Sequence, residues 1–179
     1  MTDYFDFYGL PVSFSPDAAL IKQKFYEFSK KYHPDFYINE SEEKQAEVLE
    51  MSTINNKAYQ VLSDAQKRLP YILELKGQLA EGEHYVLPQD FLMDMMEINE
   101  SLMDLQFDPD AEKLAAVKVD VSAVDAGIQR EILALTDSFE NKSEAEQAIL
   151  LAAVKDLYYR SKYLIRIKES IDKASTQTY

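Results

Sequence analysis

Phe28-Ser29-Lys30-Lys31-Tyr32-His33-Pro34-Asp35 is where a basic amphipathic helix runs out. Proline cannot continue a helix, because its ring clashes with the carbonyl four residues back and it has no amide proton to donate. It also pushes the residue before it, His33, out of helical geometry. An imidazole and a carboxylate are thereby held on either side of a stiff bend. Polar groups on a loop carried by a rigid helical frame read as a contact site rather than as packing. Upstream, Ser15-Pro16-Asp17 has the form of an N-cap followed by the first two helical positions. From there Ala18, Ile21, Phe25, Phe28 and Tyr32 recur at steps of three and four, which makes one buried stripe. Lys24, Lys30 and Lys31 fall on the opposite side, interrupted by Glu27. They form a basic face in an otherwise acidic protein.

Before this helix, Asp3 to Tyr8 is a short aromatic turn that Gly9 is suited to close. After it, Ser41 caps a third helix whose positive end suits Glu42 and Glu43. Val48, Met51, Asn55, Ala58 and Leu62 continue the helical period. Asn55 lies on that buried stripe, so a hydrogen-bonded amide is expected there. Short connections make the two long helices antiparallel neighbours. Ser63-Asp64 ends this helix or caps a last one, Ala65 to Lys76, which Pro70 is expected to kink or shorten.

Residues 77–87, with Gly77, Gly82 and His84, read as a linker. Pro88 opens a helix to about Gln106, and Asp108-Pro109 opens a second, from about Pro109 to Phe139. The stripe of the second is Leu114, Val117, Val121, Val124, Ile128, Leu135 and Phe139, weakened at Gly127. Ser143 with Glu146 makes a capping box for a third, reaching about Lys173, with Leu150, Val154, Leu157, Leu164 and Ile171 inward. Three long helices with brief turns make a bundle. With no useful period-2 segment anywhere, the expected fold is all-α, without a sheet. Its expected parts are an N-terminal domain at 1–76, built on an antiparallel helical hairpin, a linker at 77–87, and a C-terminal three-helix bundle at 88–179.

The first bundle helix has two apolar faces. Phe91, Met95, Ile98, Leu102 and Leu105 form the core seam. Leu92, Met93, Met96 and Met103 lie off it, among Glu97, Glu100 and Asp104. Four of the chain's 6 Met fall between Met93 and Met103. Thioether side chains adapt to a partner's surface. An apolar patch ringed by carboxylates is an interface candidate, the alternative being a helix buried on two sides.

The 179 residues carry a net charge of −13. Residues 1–76 hold 9 Lys and Arg against 12 Asp and Glu, net −3. The remainder holds 10 against 20, net −10, so the acidity lives in the second half. That balance argues against nucleic acid and against an anionic membrane as partners. There is no cysteine, hence no disulfide and no thiolate-bound metal or cluster on this chain. No cofactor and no metal site are expected. The start, Met1-Thr2-Asp3-Tyr4, lacks the basic and apolar regions of a secretory signal, and no apolar run approaches the ~20 residues of a membrane span, so the expected location is the cytoplasm. Enzymatic chemistry finds little support. The four glycines are scattered, the only histidines are His33 and His84, and His33 with Asp35 lies on an open loop rather than in a pocket that excludes water.

With these pieces placed, the chain resembles the J-domain co-chaperones, and within them the HscB type of iron–sulphur cluster biogenesis. Tyr4-Phe5-Asp6-Phe7-Tyr8-Gly9-Leu10-Pro11 looks like that type's aromatic start. Tyr32-His33-Pro34-Asp35 after a lysine-bearing helix is similar to the J-domain signature. Ile54-Asn55-Asn56-Lys57-Ala58-Tyr59-Gln60-Val61-Leu62 looks like its third helix, and Arg68-Leu69-Pro70-Tyr71-Ile72-Leu73 like the segment after that helix. The acidic, Met-rich stretch Phe91 to Glu97 and the helical tail extend the resemblance over nearly the whole chain. Phe36 departs from it, standing where many relatives have a basic or amide residue, and no Gly/Phe-rich or cysteine-rich module is present.

The resemblance implies a co-chaperone that is not itself an enzyme. Its J-domain would dock on a DnaK-class chaperone, HscA-like, through His33, Pro34 and Asp35 with Lys24, Lys30 and Lys31, and would stimulate that partner's ATPase. Its C-terminal bundle would hold an IscU-like iron–sulphur scaffold through Leu92, Met93, Met96, Glu97, Glu100 and Asp104, with Tyr158 or Tyr159 as a further aromatic. ATP and cluster would belong to the partners. A structural adaptor using the same two parts, and an enzyme of another kind, are the competing readings.

Overall fold

The computed structural model describes residues 2–80 and 82–177. Helices are its regular structure, and there is no strand among the described residues. The chain falls into two compact units. One gathers the chain up to Ala80 together with Asp137–Gln147; the other holds the residues in between, through Thr136, and those from Ala148 onward.

The N-terminal unit opens with α1, Tyr4–Tyr8, whose ends are both capped. The Asp3 carboxylate accepts from the Phe5 and Asp6 amides, and Gly9 closes the turn at φ 66°, a conformation that favours glycine. One turn of helix is not stable alone. It is held by Phe5 and Tyr8, both buried. Helix α2, Ala18–Lys31, is capped by Asp17 rather than by Ser15. The Asp17 carboxylate reaches the Ala19 and Leu20 amides, so Ser15 and Pro16 stay outside the helix. Helix α3, Glu42–Leu62, starts at Ser41 as its sequence predicts, with the hydroxyl accepting from the Lys44 amide.

Helices α2 and α3 pack antiparallel. Phe25 stacks on Tyr59 with 4.3 Å between ring centres, while Ser29 meets Asn55, so positions that advance on one helix retreat on the other. Val48, Asn55, Ala58 and Leu62 are buried along the seam. Asn55 ties three elements together. Its carbonyl accepts from the Tyr8 hydroxyl at 2.8 Å, and its amide donates to the Phe25 carbonyl and the Ser29 hydroxyl at 3.1 and 3.0 Å. Burial raises the Tyr8 hydroxyl pKa well above its ordinary value, consistent with a phenol that stays a donor. Asn55→Ala leaves the Tyr8 hydroxyl only its longer bond to the backbone carbonyl of that position, 3.2 Å, removes both bonds to α2, and is expected to cost ~1–3 kcal/mol, read by urea unfolding. A variant as stable as the wild type would show that these bonds contribute nothing net.

Helix α4, Ala65–Leu75, is capped by Asp64 and runs through Pro70 without ending there. Tyr71, Ile72 and Leu73 bury its inner face. Tyr71 stacks on Tyr4, and its hydroxyl accepts from the Tyr4 amide at 2.7 Å; burial pushes its pKa up to about 12. The Arg68 guanidinium donates to the Phe14 carbonyl at 3.0 Å and to the Leu62 carbonyl, joining three segments.

The segment 137–147 corrects one expectation. Phe139 does not extend the bundle helix before it. Ser138 turns the backbone into the left-handed region, φ 53°, and Phe139 meets Phe14 edge-on at 5.1 Å. Ser13 donates to Glu140 at 3.3 Å beside it. The chain thus returns to its N-terminal unit before the last helix begins.

The second unit is the three-helix bundle. Helix α5, Gln89–Phe107, follows Pro88, and α6 is Ala111–Thr136. Asp110, not Asp108, caps α6, its carboxylate accepting from the Glu112 and Lys113 amides. Helix α7, Glu144–Gln177, carries the expected capping box: the Ser143 amide donates to Glu146 at 2.9 Å. Hydrogen bonds from the Ser143 hydroxyl and amide hold the Glu146 carboxyl below its usual pKa. The α5 seam is buried as its period predicts. On α6 Ile132 and Thr136 join the core, and on α7 Leu151 takes the inward position expected of Leu150. The stretch before α5 is fastened rather than loose. Tyr85 stacks flat on Tyr159 with 4.4 Å between centres, its hydroxyl donates to Asp156 at 2.7 Å, and Glu83 pairs with Lys155.

Candidate partner-binding sites

Pro34 begins not an open loop but a 3-10 turn, Pro34–Tyr37, with His33 as its cap in an extended conformation. The fixed φ of proline suits that first position. The imidazole Nδ1 accepts from the Asp35 amide at 3.3 Å. In this arrangement Nδ1 carries no proton, which leaves Nε2–H as the donor on the far edge of the ring. The Asp35 carboxylate lies 3.8 Å from Nδ1 and is 80% exposed. The turn is pinned at its far end too, because the Tyr37 hydroxyl donates to the Lys31 carbonyl at 2.7 Å. The result is an exposed carboxylate beside a half-exposed imidazole, on a turn held by hydrogen bonds at both ends. Such a pair can receive a cation and an acceptor from another molecule. It encloses no substrate.

The three lysines do not share one face. At about 100° per residue, Lys30 lies a quarter-turn or more from Lys24 and Lys31. Lys24 and Lys31 bracket Phe28, their ammonium groups 6.0 and 5.9 Å from its ring centre, and Lys31 also lies 5.1 Å from that of Tyr32. They line one flank of the expected apolar stripe, of which only Ile21 is buried, Phe25, Phe28 and Tyr32 are half-buried and Ala18, at the helix start, is exposed. Lys30 is exposed on another line. The helix period resolves this, since only i, i+3, i+4 and i+7 positions stack.

In the bundle, α5 turns one side in and one side out. Met95 and the rest of its seam are buried, whereas Leu92, Met93 and Met96 are 39%, 62% and 60% exposed. Glu97, Glu100 and Asp104 are exposed beside them, with Asp104 taking the Lys113 ammonium at 2.8 Å. The same face continues to Met103 and to Phe107, which is 85% exposed. The spacing Met96, Glu100, Met103, Phe107 could have signalled that continuation. Tyr159 is turned to Tyr85, and Tyr158 meets Tyr159 edge-on at 5.4 Å. Tyr163 of α7 also touches α5, its hydroxyl accepting from the Asn99 amide at 3.0 Å. Among the described residues no cluster of His, Cys, Asp and Glu is arranged to hold a metal ion, and no helix is long and apolar enough to cross a membrane.

Two family models match the chain: the DnaJ domain over residues 3–71 and the HSCB C-terminal oligomerisation domain over residues 87–172. A co-chaperone protein HscB homolog of Vibrio cholerae is 30% identical over 178 residues, covering 98% of each chain. One of Vibrio vulnificus is 30% identical over 172 residues, covering 95% of each. The structure of chaperone HscB from Vibrio cholerae is similar with a TM-score of 0.65 at 25% identity, covering 99% of this chain and all of that one. The crystal structure of human co-chaperone protein HscB gives 0.67 at 26% identity, covering 98% of this chain and 83% of that one.

Proposed function

This chain belongs to the HscB family of J-domain co-chaperones, and from that premise we propose that it carries an IscU-like iron–sulphur scaffold on the outer face of α5 to a DnaK-class, HscA-like chaperone in the cytoplasm, and stimulates that chaperone's ATPase. The observation that carries the reading is the pairing, on one chain, of an exposed and pinned His33-Pro34-Asp35 turn with an exposed apolar face ringed by carboxylates. The cluster is cargo and ATP is the partner's substrate. The chain's own task is to bind and to bias.

Bias requires differential contact. A ligand shifts a two-state equilibrium only by the difference between its affinities for the two states. Asp35 and the outward edge of His33 would bind the hydrolysis-competent state of the chaperone more tightly than the resting one. Bridging adds to this, because a scaffold held on the same chain meets the chaperone at a raised effective concentration.

Lys24 and Lys31 would steer encounter with an acidic groove. Opposite charges act mainly on the association rate, over a Debye length of ~8–10 Å at physiological salt. Reversing both to Glu is expected to slow association with the chaperone by about tenfold or more at low salt, and the wild-type rate is expected to fall as salt rises. Stopped-flow mixing measures this, and a rate indifferent to both charge and salt would contradict the steering role. The whole reading is tested by single-turnover ATP hydrolysis by the chaperone, with and without this chain and the scaffold. No acceleration in any combination would overturn it.

A further inference from the structure

The turn that begins at Pro34 presents two large apolar side chains to solvent. Phe36 is 68% and Ile38 70% exposed. Single exposed apolar residues are ordinary. These two differ in how their backbone is held. The Phe36 amide donates to the His33 carbonyl at 3.1 Å, and the Asp35 amide to the His33 ring. The Tyr37 hydroxyl, between the pair, is bonded to the Lys31 carbonyl. The Gln45 amide donates to the Ile38 and Glu40 carbonyls at 3.1 and 2.9 Å. A turn whose backbone is already held pays less ordering cost when it is covered, which is one condition under which apolar burial yields affinity.

Their neighbours define what covers them. The Phe36 ring lies 5.4 Å from the His33 ring, and Phe36 is the residue after Asp35. A partner that binds the Asp35 carboxylate therefore has Phe36 and the His33 ring as its immediate neighbours. An aromatic side chain beside His33 and Asp35, with Lys31 on the preceding helix end, has the composition of an interface anchor with a polar surround. We propose that Phe36 and Ile38 are the apolar anchor of the chaperone-binding site, entering an apolar recess of the DnaK-class ATPase next to the cation that meets Asp35. This rests on the reading that the His33-Pro34-Asp35 turn docks on that chaperone. It divides the labour of the site: lysines set the encounter rate, Asp35 and His33 the change of state, and Phe36 with Ile38 the lifetime of the complex.

The test is ATPase stimulation titrated with full-length Phe36→Ala/Ile38→Ala, at low and high salt, with melting as a control. The half-maximal concentration is expected to rise about tenfold or more, equivalent to 1.4 kcal/mol, while the maximal rate at saturation stays at the wild-type value. The ratio of variant to wild type is expected to be the same at both salt concentrations, as apolar burial requires. Phe36→Leu is expected to keep most of the affinity. An unchanged half-maximal concentration, with the wild type stimulating normally, overturns the anchor and leaves the docking turn standing. A lowered maximal rate at unchanged half-maximal concentration also overturns it, since the pair would then act in the change of state. A wild-type dimer in sedimentation that the double variant loses would assign the patch to a second copy and overturn it as well. Absence of stimulation by the wild type overturns the docking reading itself, and the anchor with it.

Discussion

Asp35→Asn is expected to abolish stimulation of the chaperone ATPase while leaving the fold intact, and His33→Gln to do the same. The asparagine keeps the shape of the side chain and the backbone amide that His33 accepts from; it removes the charge and turns one acceptor oxygen into an amide donor. The carboxylate is 80% exposed and its contacts lie within its own turn, so the chain does not need it for its core. Exposed substitutions of this kind change stability by within about ±0.5 kcal/mol. In a complex the carboxylate would meet a cation, and a charge-assisted bond contributes ~1.5–3 kcal/mol. If that bond forms mainly in the hydrolysis-competent state, its loss falls on the rate. Single-turnover hydrolysis and thermal melting, run side by side, read the two expectations. Full stimulation by both variants would remove the tripeptide from the mechanism.

Leu92→Ala with Met96→Ala is expected to cut affinity for the scaffold by more than about tenfold, or 1.4 kcal/mol. Both side chains point away from the seam that Met95 and Leu102 bury, so their truncation opens no cavity in the bundle. Interfaces concentrate their energy in a few central apolar anchors, where truncation costs ≥ ~2 kcal/mol. Stimulation by the J-domain without scaffold is expected to survive, since the two residues belong to the other compact unit. Calorimetric titration of the double variant with scaffold gives the answer, with melting as the control. Unchanged affinity would mean that this face is not the interface.

Much of the fold is legible in the sequence, and the parts that are not have identifiable causes. Helical stripes announce themselves where burial is periodic: Val48, Asn55, Ala58 and Leu62 on α3, and Phe91 to Leu105 on α5. Helix starts read a step off where two capping residues stand close together, as at Ser15 and Asp17, and at Asp108 and Asp110. Local spacing does not say which carboxylate or hydroxyl reaches the amides. Phe139 continues the apolar period of α6, yet a left-handed turn at Ser138 and the ring of Phe14, far away in the chain, take it elsewhere. Periodicity carries no information about such a distant partner. The same holds for Tyr85, which sits in a stretch rich in turn residues but is fixed by Tyr159 and Asp156 on α7. At the site, the tripeptide and the Met-rich face are readable. Exposure of Phe36 and Ile38, and the pinning of their turn by Tyr37 and Gln45, depend on three-dimensional placement.

In the proposed function one chain acts by holding scaffold and chaperone together. This bridging is tested most directly by single-turnover hydrolysis by the chaperone at a fixed, sub-saturating concentration of scaffold, titrated with the wild-type chain. Chain and scaffold together are expected to accelerate hydrolysis by more than the product of their separate effects, and the surplus is expected to decline again when excess chain occupies scaffold and chaperone separately. Acceleration equal to that product at every concentration, with no decline, would contradict it.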